Sequence, residues 1–333
     1  MKKITQLAGS AAFCASLVAG AAMAQDAQSI STVVKVTGEN WFIRMNEGVD
    51  QFNADNEAIE AAQVGPAQAD AAQQARIIED LVARGVSAIA VVPMDPSALE
   101  GVLRRAKQRG IKVIAHEGDS IVNADADIEA FDNAAFGTKI NEGLADCMGG
   151  EGKWTSFVGS LGSLTHNQWV EAGAENAGSK YPGMELVAEK NESFNDANRA
   201  YERAKEILRA HPDIKGFQGS SAIDVIGIGR AVEEAGLEDK TCVFGLGLPK
   251  DTGPYLETGA VDRIYFWDPK DAGYVMNVVS KMILDGTEIT NGMDLGVPGY
   301  NEVTVSDGPG EGFIIQGQAW VDVGKDDYAE YPF

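Results

Sequence analysis

Polar and aromatic side chains recur where a short apolar run of the sequence ends and a helical pattern begins. They combine carboxylates, amides, imidazoles and a hydroxyl with large rings: Asn40, Trp41, Phe42, His116, Glu117, His166, Asn167, Ser220, Trp267 and Asp268. Carboxylates and amides hydrogen-bond the hydroxyl groups of a sugar or polyol, while aromatic faces cover its C–H surface. The small residues Ala222 and Gly247 occupy equivalent points. This mixture predicts a binding site for a neutral polyhydroxylated molecule.

His166 is one of only three histidines and lies in the polar turn GSLTHNQW, residues 162–169. Two interpretations of its role are open. Its imidazole donates a hydrogen bond to a ligand hydroxyl group, or it caps the start of the helix that follows. For Trp169 in the same turn, the sequence favours packing between helices over ligand contact.

Sequence motifs for catalysis are missing. There is no Walker phosphate loop, and the glycines of GIGRAVEEAG lie inside a helical pattern rather than at a strand-to-helix turn. His116, Glu117 and His166 are acceptable zinc ligands, but no His-x-x-x-His or Cys-x-x-Cys pair pre-organises them. We therefore predict a binding protein with no cofactor and no metal. A secreted, metal-assisted enzyme is the alternative from another class.

The segments that must position these residues alternate between short apolar runs and longer amphipathic patterns. Strands are predicted at 31–37, 88–93, 112–116, 154–159, 184–189, 214–219 and 242–247, with helices between them. Gly85, Gly110 and Gly236 provide left-handed helix stops, and Asp95-Pro96 is a helix start. Such alternation is typical of α/β folds with parallel sheets covered on both faces. Ligands bind beyond the carboxyl ends of the strands in these sheets, where the polar and aromatic residues occur.

The strand–helix units fall into two series, which predicts two doubly wound parallel-sheet lobes. The segment at the end of the sequence differs, because it reads as short strands around a Gly- and Pro-rich turn. We expect one lobe from 25–131 plus 268–292 and a second from 132–267 plus 293–333, with the ligand in the cleft between them.

The first 24 residues have the features of a secretory signal peptide. Lys2 and Lys3 precede an apolar, Ala-rich run at 7–23 that ends in Ala-Met-Ala, so cleavage is expected before Gln25. The formal net charge of -23 repels nucleic acid and anionic membranes and favours a monomer. We therefore expect an exported, periplasmic protein with no nucleic-acid partner.

Cys147 and Cys242 are the cysteines outside the signal peptide. Each precedes a predicted core strand, which would place both at the amino ends of strands on one side of a sheet. An exported compartment permits a disulfide, but spacing alone does not establish the geometry. A disulfide and two separate buried thiols therefore both remain open.

Several motifs, taken in order, resemble those of the type I periplasmic sugar-binding proteins, the solute receptors of ABC importers. The motifs are GENWFIRMNEGVDQF, AIAVVPMDPSAL, GIKVIAHEGDS, DNAAFGTKI, CVFGLGLP and YFWDPKDAGYV. The WDP crossover and the final WVDVGKDDYAEYPF look most like the branch that contains rhamnose-binding proteins and the receptors of autoinducer-2 (AI-2). The resemblance covers essentially the whole mature chain. It implies two similar lobes joined by a three-strand hinge.

The resemblance also implies which side chains contact the ligand. Six positions match the family's contacting lysine, amide, aromatic pair, carboxylate and small residue: Lys35, Asn40, Trp41, Phe42, Glu117 and Ala222. Thr165-His166 and Ser220 depart from the AI-2 receptors, which carry Asp-Gln and Pro at the matching positions. Loss of a carboxylate that binds ligand hydroxyl groups disfavours AI-2 as the ligand.

The resemblance therefore implies the substrate-binding component of a carbohydrate ABC importer. The expected ligand is a rhamnose-like or pentose-like monosaccharide or a polyol, which the protein delivers to a membrane permease. An AI-2 receptor with the same fold is the nearest alternative.

Overall fold

The computed structural model describes residues 28–333, so the predicted signal peptide lies outside the described residues. Within that range the chain forms thirteen strands and nine α-helices. The strands are β1 (Gln28–Val33), β2 (Ile59–Val64), β3 (Ala88–Val91), β4 (Lys112–His116), β5 (Ala126–Glu129), β6 (Glu151–Val158), β7 (Gly183–Glu192), β8 (Ile214–Gly219), β9 (Cys242–Leu246), β10 (Arg263–Phe266), β11 (Thr304–Asp307), β12 (Phe313–Gln316) and β13 (Val321–Val323). None of the described helices is long and apolar enough to cross a membrane.

The helices separate most of the parallel strands. They are α1 (Asn40–Asp55), α2 (Ala71–Arg84), α3 (Pro96–Gln108), α4 (Asn133–Met148), α5 (Leu164–Lys180), α6 (Ala197–Ala210), α7 (Asp224–Ala235), α8 (Pro249–Thr258) and α9 (Pro269–Leu284). The predicted start of α3 is confirmed, because the Asp95 carboxylate accepts hydrogen bonds from the backbone N–H groups of Ser97 and Ala98. The left-handed stops at Gly85 and Gly236 are also confirmed.

Two mostly parallel sheets form the two lobes, which confirms the predicted fold class. The strand orders are β11-β12-β5-β4-β3-β1-β2 and β13-β10-β9-β8-β6-β7. β3 and β9 are buried along their whole length, as expected for strands covered by helices on both faces. The chain passes between the sheets three times: from β5 to α4, from β10 to α9, and from β12 to β13.

One segment differs from the predicted lobe assignment. β11 and β12 belong to the first sheet, where β12 pairs in parallel with β5, although the sequence analysis assigned 293–333 to the second lobe. The apolar run at 312–323 reads as one strand, but Gly317 interrupts it and donates a backbone hydrogen bond to Glu129. Residues 317–320 therefore form a crossover, and only β13 joins the second sheet, beside β10.

The two cysteines are joined by a disulfide, with their Cα atoms 6.1 Å apart. Cys242 begins β9 as predicted, but Cys147 lies in the last turn of α4 rather than at the start of a strand. The strand that follows Cys147 begins only after the Gly149-Gly150 turn, where both glycines have positive φ. The bond therefore ties a covering helix to the amino end of the second sheet.

Close packing of α1 against α9 fixes the helix that carries Trp41 and Phe42. A Cβ atom added at Gly48 would lie 1.9 Å from the Lys270 carbonyl oxygen, and one at Gly273 would lie 2.3 Å from the Met45 carbonyl oxygen. Only glycine permits this approach of the two backbones. The amino end of α1 is thereby held against the cleft.

Candidate ligand-binding site

A small cavity lies where the carboxyl ends of strands from both sheets face each other. Its lining combines charged, polar and apolar residues: Lys35, Glu39, Trp41, Phe42, Glu117, His166, Asn195, Ser221, Ala222 and Leu246. The cavity volume is about 20 Å³, which is space for roughly one water molecule. The lobes are therefore closed on each other in this conformation.

A buried ion pair forms the floor of the cavity. Lys35 Nζ donates to Glu117 Oε2 at 2.5 Å, and both side chains are only 7% exposed. Burial acts to raise the pKa of Glu117, but the adjacent Lys35 and the two neighbouring histidines outweigh it and bring the pKa down to about 2. The Thr165 hydroxyl donates to the same oxygen from the other lobe, at 3.0 Å. Glu117 is thus one of the points at which the two lobes meet.

The backbone of Glu117 is strained. Its φ of 60° lies in the left-handed region, which a residue with a Cβ atom rarely adopts. Strain of this kind costs about 1–3 kcal/mol and occurs preferentially where a side chain must be aimed into a site. It turns the Glu117 carboxylate toward Lys35 at the end of β4.

His166 lines the cavity as a neutral donor. Its Nδ1 accepts a hydrogen bond from the Gly159 backbone N–H at 3.1 Å, so Nδ1 carries no proton and the proton must lie on Nε2. Burial, reinforced by the positive charge of Lys35, lowers the pKa of His166 to about 3. The imidazole therefore presents one N–H group to the cavity, as the ligand-contact interpretation requires.

Glu39 is the second carboxylate of the cavity wall. It precedes α1 and is half-buried, and its side chain makes no hydrogen bond to the described part of the chain. Burial raises its pKa to about 7, against the opposing charge of Lys35. Nearby Asp224, Asp251 and Glu117 raise it further.

A wider groove, which we call the mouth, adjoins the cavity. It has a volume of about 350 Å³ and shares Glu39, Trp41 and Ala222 with the cavity. Asn40 lies at the mouth, where its side-chain amide donates to Asp251 of the other lobe at 2.7 Å. Asn40 is therefore an inter-lobe contact rather than part of the inner cavity.

Four lining residues were not singled out from the sequence as site residues: Glu39, Asn195, Ser221 and Leu246. Glu39, Ser221 and Leu246 lie beside residues that were predicted, so position after a strand was a usable signal. Asn195 follows β7, which ends at Glu192 rather than at the predicted residue 189. The error of three residues in the strand end hid the loop that carries Asn195.

Besides Asn40, six predicted site residues do not line the cavity. His116 donates from Nδ1 to the Ile128 carbonyl oxygen at 2.5 Å and is fully buried. The Asn167 amide bonds the Leu161 and Ser163 carbonyl oxygens within its own lobe. Packing inside the second lobe encloses Ser220 and Gly247.

The other two, Trp267 and Asp268, belong to the crossover that joins the lobes. Asp268 caps α9 and accepts two hydrogen bonds from Arg44, at 2.9 and 2.7 Å. Trp267 is 1% exposed and meets Trp41 edge to face, with ring centroids 4.6 Å apart. Trp267 does not line the cavity, but it packs against Trp41, which does.

Within residues 28–333, the residues considered as zinc ligands do not form a metal-binding group. His116, Glu117 and His166 do not bring three ligand atoms close together. The group that does so is Cys147, Cys242 and Asp262, in which both thiols are consumed by the disulfide. This geometry gives no support to the metal-assisted alternative.

Comparison with known proteins identifies the family. The D-allose-binding periplasmic protein of Escherichia coli is 25% identical over 256 residues, which cover 74% of this chain and 81% of that protein. The L-rhamnose-bound solute-binding protein from Clostridium phytofermentas superimposes with a TM-score of 0.83 at 21% identity, covering 92% of this chain and 98% of that one. LsrB from Clostridium saccharobutylicum in complex with AI-2 gives a TM-score of 0.82 at 21% identity, covering 92% of this chain and 100% of that one.

The sequence profile of one family spans most of the chain. Residues 30–288 match the family described as periplasmic binding protein domain. The matched segment runs from β1 to the end of α9 and includes every residue that lines the cavity. The chain belongs to the periplasmic binding protein domain family.

Proposed function

We propose that this chain is the sugar-binding component of an ABC importer and holds a monosaccharide or polyol between its lobes. The observation that carries the proposal is the cavity, in which hydrogen-bonding groups from both lobes converge beside two aromatic rings. Lys35, Glu117 and His166 offer charged and neutral hydrogen-bonding atoms, and Trp41 and Phe42 offer apolar faces. These are the groups that a polyhydroxylated ligand requires.

The relatives support the same class of ligand. Their names describe allose and rhamnose as bound molecules. One structural relative binds AI-2, but this chain has Thr165-His166 where the family resemblance implies Asp-Gln in AI-2 receptors. We therefore favour a monosaccharide or polyol.

Ligand entry requires the lobes to separate. The closed cavity is far smaller than a sugar, and the contacts Thr165–Glu117 and Asn40–Asp251 join the lobes across it. Rotation about the three crossovers would open the cleft, and the bound ligand would then stabilise the closed form. A membrane permease would recognise that closed form, and the protein would act as a periplasmic monomer.

Isothermal titration calorimetry against pentoses, deoxyhexoses, hexoses, polyols and AI-2 tests the proposal. We expect saturable binding of at least one sugar or polyol, unchanged in chemical identity after recovery from the protein. Failure of every member of the panel to bind would contradict the proposal. A strong preference for AI-2 would make the protein a signal receptor, and turnover of the sugar would make it an enzyme.

Two asparagines provide a matched pair for locating the site. Asn195 lines the cavity, whereas the Asn167 side chain bonds only its own lobe. Asn195→Ala should weaken binding by about tenfold, as expected for one lost hydrogen bond, and Asn167→Ala should leave it unchanged. The reverse result would move the ligand out of this cavity.

A further inference from the structure

Glu39 is the carboxylate at this site that the fold leaves without a hydrogen-bond partner. The other one, Glu117, accepts hydrogen bonds from Lys35 and Thr165, while the Glu39 side chain bonds no group of residues 28–333. Glu39 also lines both the cavity and the mouth. A ligand held in the cavity, or one that extends from it into the mouth, therefore lies against this carboxylate.

The electrostatic surroundings of Glu39 are negative. Glu117 and Lys35 face it from the first lobe, and Asp224 and Asp251 face it from the amino ends of α7 and α8 in the second lobe. Lys35 is the cation of this set and is already paired with Glu117. His166, the remaining titratable group of the wall, is neutral.

We propose that Glu39 binds a cationic group of the ligand, so that the preferred ligand is an aminated sugar or polyol rather than its neutral parent. This inference rests on the proposed function and adds the charge class of the ligand. An ammonium group supplies up to three N–H donors, and a charge-assisted bond to a carboxylate is stronger than a neutral one. Trp41 lines the same cavity, and an aromatic ring attracts a cation placed over its face.

A neutral ligand would use Glu39 in the opposite way. Because the pKa of Glu39 is about 7, its carboxyl group is partly protonated near neutral pH and could donate to a hydroxyl oxygen. Such a ligand favours the protonated form and takes up protons on binding. A cation favours the carboxylate, so it releases protons and binds more tightly as the pH rises from about 5 to about 7, below the range in which the ammonium group of the ligand loses its own proton.

Calorimetry with matched pairs of ligands distinguishes a preference for a cationic ligand from a preference for a neutral one. The aminated probes are glucosamine, galactosamine, mannosamine and glucamine, and their neutral parents are glucose, galactose, mannose and glucitol. We expect an aminated probe to bind about tenfold to a hundredfold more tightly than its parent and to release protons at about pH 6, as measured in buffers of different ionisation enthalpy.

Two variants connect the result to Glu39. Glu39→Gln removes the charge and should abolish both the preference for the amine and the proton release. Glu57→Gln removes the same charge from an exposed turn of the same lobe and should change neither. Circular dichroism and the unfolding midpoint verify that both variants are folded.

The outcomes separate this inference from the proposed function. Preference for a neutral parent, proton uptake, or an unchanged preference in Glu39→Gln would overturn the inference while leaving sugar binding intact. Failure of every neutral and aminated probe, together with the pentoses, deoxyhexoses and AI-2, would overturn the proposed function itself.

Discussion

At the scale of single residues, the hydrogen bond from Gly159 to His166 decides what the imidazole can do. Because Nδ1 accepts that bond, the neutral ring offers its N–H to the cavity. His166→Ala should therefore raise the dissociation constant for the bound sugar about tenfold or more. His211→Ala, at the end of α6, serves as the control and should have no effect on affinity. Unchanged affinity in His166→Ala would leave His166 a structural residue only.

The contribution of His166 to binding should not depend on pH in the ordinary range. Its pKa of about 3 keeps the ring neutral from about pH 5 to 8. A change in the ratio of wild-type and His166→Ala affinities across that range would show that the ring becomes charged.

Removing one partner of the Lys35–Glu117 pair should strongly lower the free energy of unfolding. Lys35→Met leaves the Glu117 carboxylate buried without its cation, which typically costs about 3–5 kcal/mol in the free energy of unfolding. The double variant Lys35→Met/Glu117→Gln removes both charges and should recover most of that loss. Urea denaturation of the two variants checks this, and equal losses in both would mean that burial of the charge is not the cause.

The sequence predicts site residues well where position after a strand decides the contact. Trp41, Phe42, Glu117, His166 and Ala222 all line the cavity, and so does Lys35, which the family resemblance rather than its position predicted. The prediction fails where a side chain hydrogen-bonds to nearby groups instead. Asn167 bonds carbonyl oxygens of its own turn, and Asp268 caps α9 while pairing with Arg44. Such local competition depends on side-chain geometry, which spacing along the chain does not reveal.

At the scale of elements, the disulfide between α4 and β9 should stabilise the second lobe without affecting the site. The bond closes a loop of 95 residues and lies at the amino end of β9, whereas the cavity-lining Leu246 lies at the carboxyl end. Replacing both Cys147 and Cys242 by Ser should cost about 2–5 kcal/mol, measured as a lower urea midpoint.

The control for this prediction is ligand affinity. The double serine variant should bind its sugar as tightly as the wild type, because the carboxyl ends of the strands are unchanged. An affinity loss of more than a few-fold at a temperature where the variant is folded would contradict the separation between the bond and the site.

β2 and β5 are not predicted from the sequence, and the physical reason is the same for both. β5 is fully buried yet contains Asp127 and Glu129, so it lacks the apolar run that indicates a core strand. β2 has a single large buried aliphatic residue, Ile59, among small and polar ones. Both strands owe their formation to pairing with neighbours, a tertiary effect that local patterns do not contain.

At the scale of the whole molecule, the two-lobe architecture followed from the repeated strand–helix units, because each unit buries its strand between helices. The path of the last strands did not follow from it. Which sheet receives β12 depends on the open edge of β5, and that edge is visible only once β5 is known. Because the sequence does not reveal β5, it also assigns residues 293–316 to the wrong lobe.

The buried acids of β5, Asp127 and Glu129, should also influence how stability depends on pH. Asp127 Oδ2 and Glu129 Oε1 are buried without a hydrogen-bond partner, and burial raises the pKa of both groups, with the charge of Asp127 raising that of Glu129 further. Further carboxyl groups with a pKa raised to about 6 or 7 are Glu39, Asp224, Asp262 and Asp271. The native state therefore binds more protons than the unfolded chain between about pH 4 and 7.

Because an acid with a raised native pKa favours unfolding once both states are ionised, stability should fall as the pH rises from about 5 to about 8. Glu117, whose native pKa is about 2, acts in the opposite direction, but only below its unfolded value near 4.5. Burial lowers the pKa of His116 and His166, so these two groups also act in the opposite direction below their unfolded value near 6.5, but the six acids outnumber them. We expect the unfolding midpoint of ligand-free protein to be several degrees higher at about pH 5 than at about pH 8.

Glu129→Gln should flatten this profile. The amide keeps a donor toward Asp127 without a charge, so the variant should gain stability at about pH 8 and little at about pH 5. Glu175→Gln, on the exposed surface of α5, removes the same charge from solvent and should shift the profile far less. Equal effects of the two variants would mean that general repulsion within a chain of net charge -23, rather than these buried acids, sets the pH dependence. A midpoint that rises toward pH 8 would contradict the predicted sign.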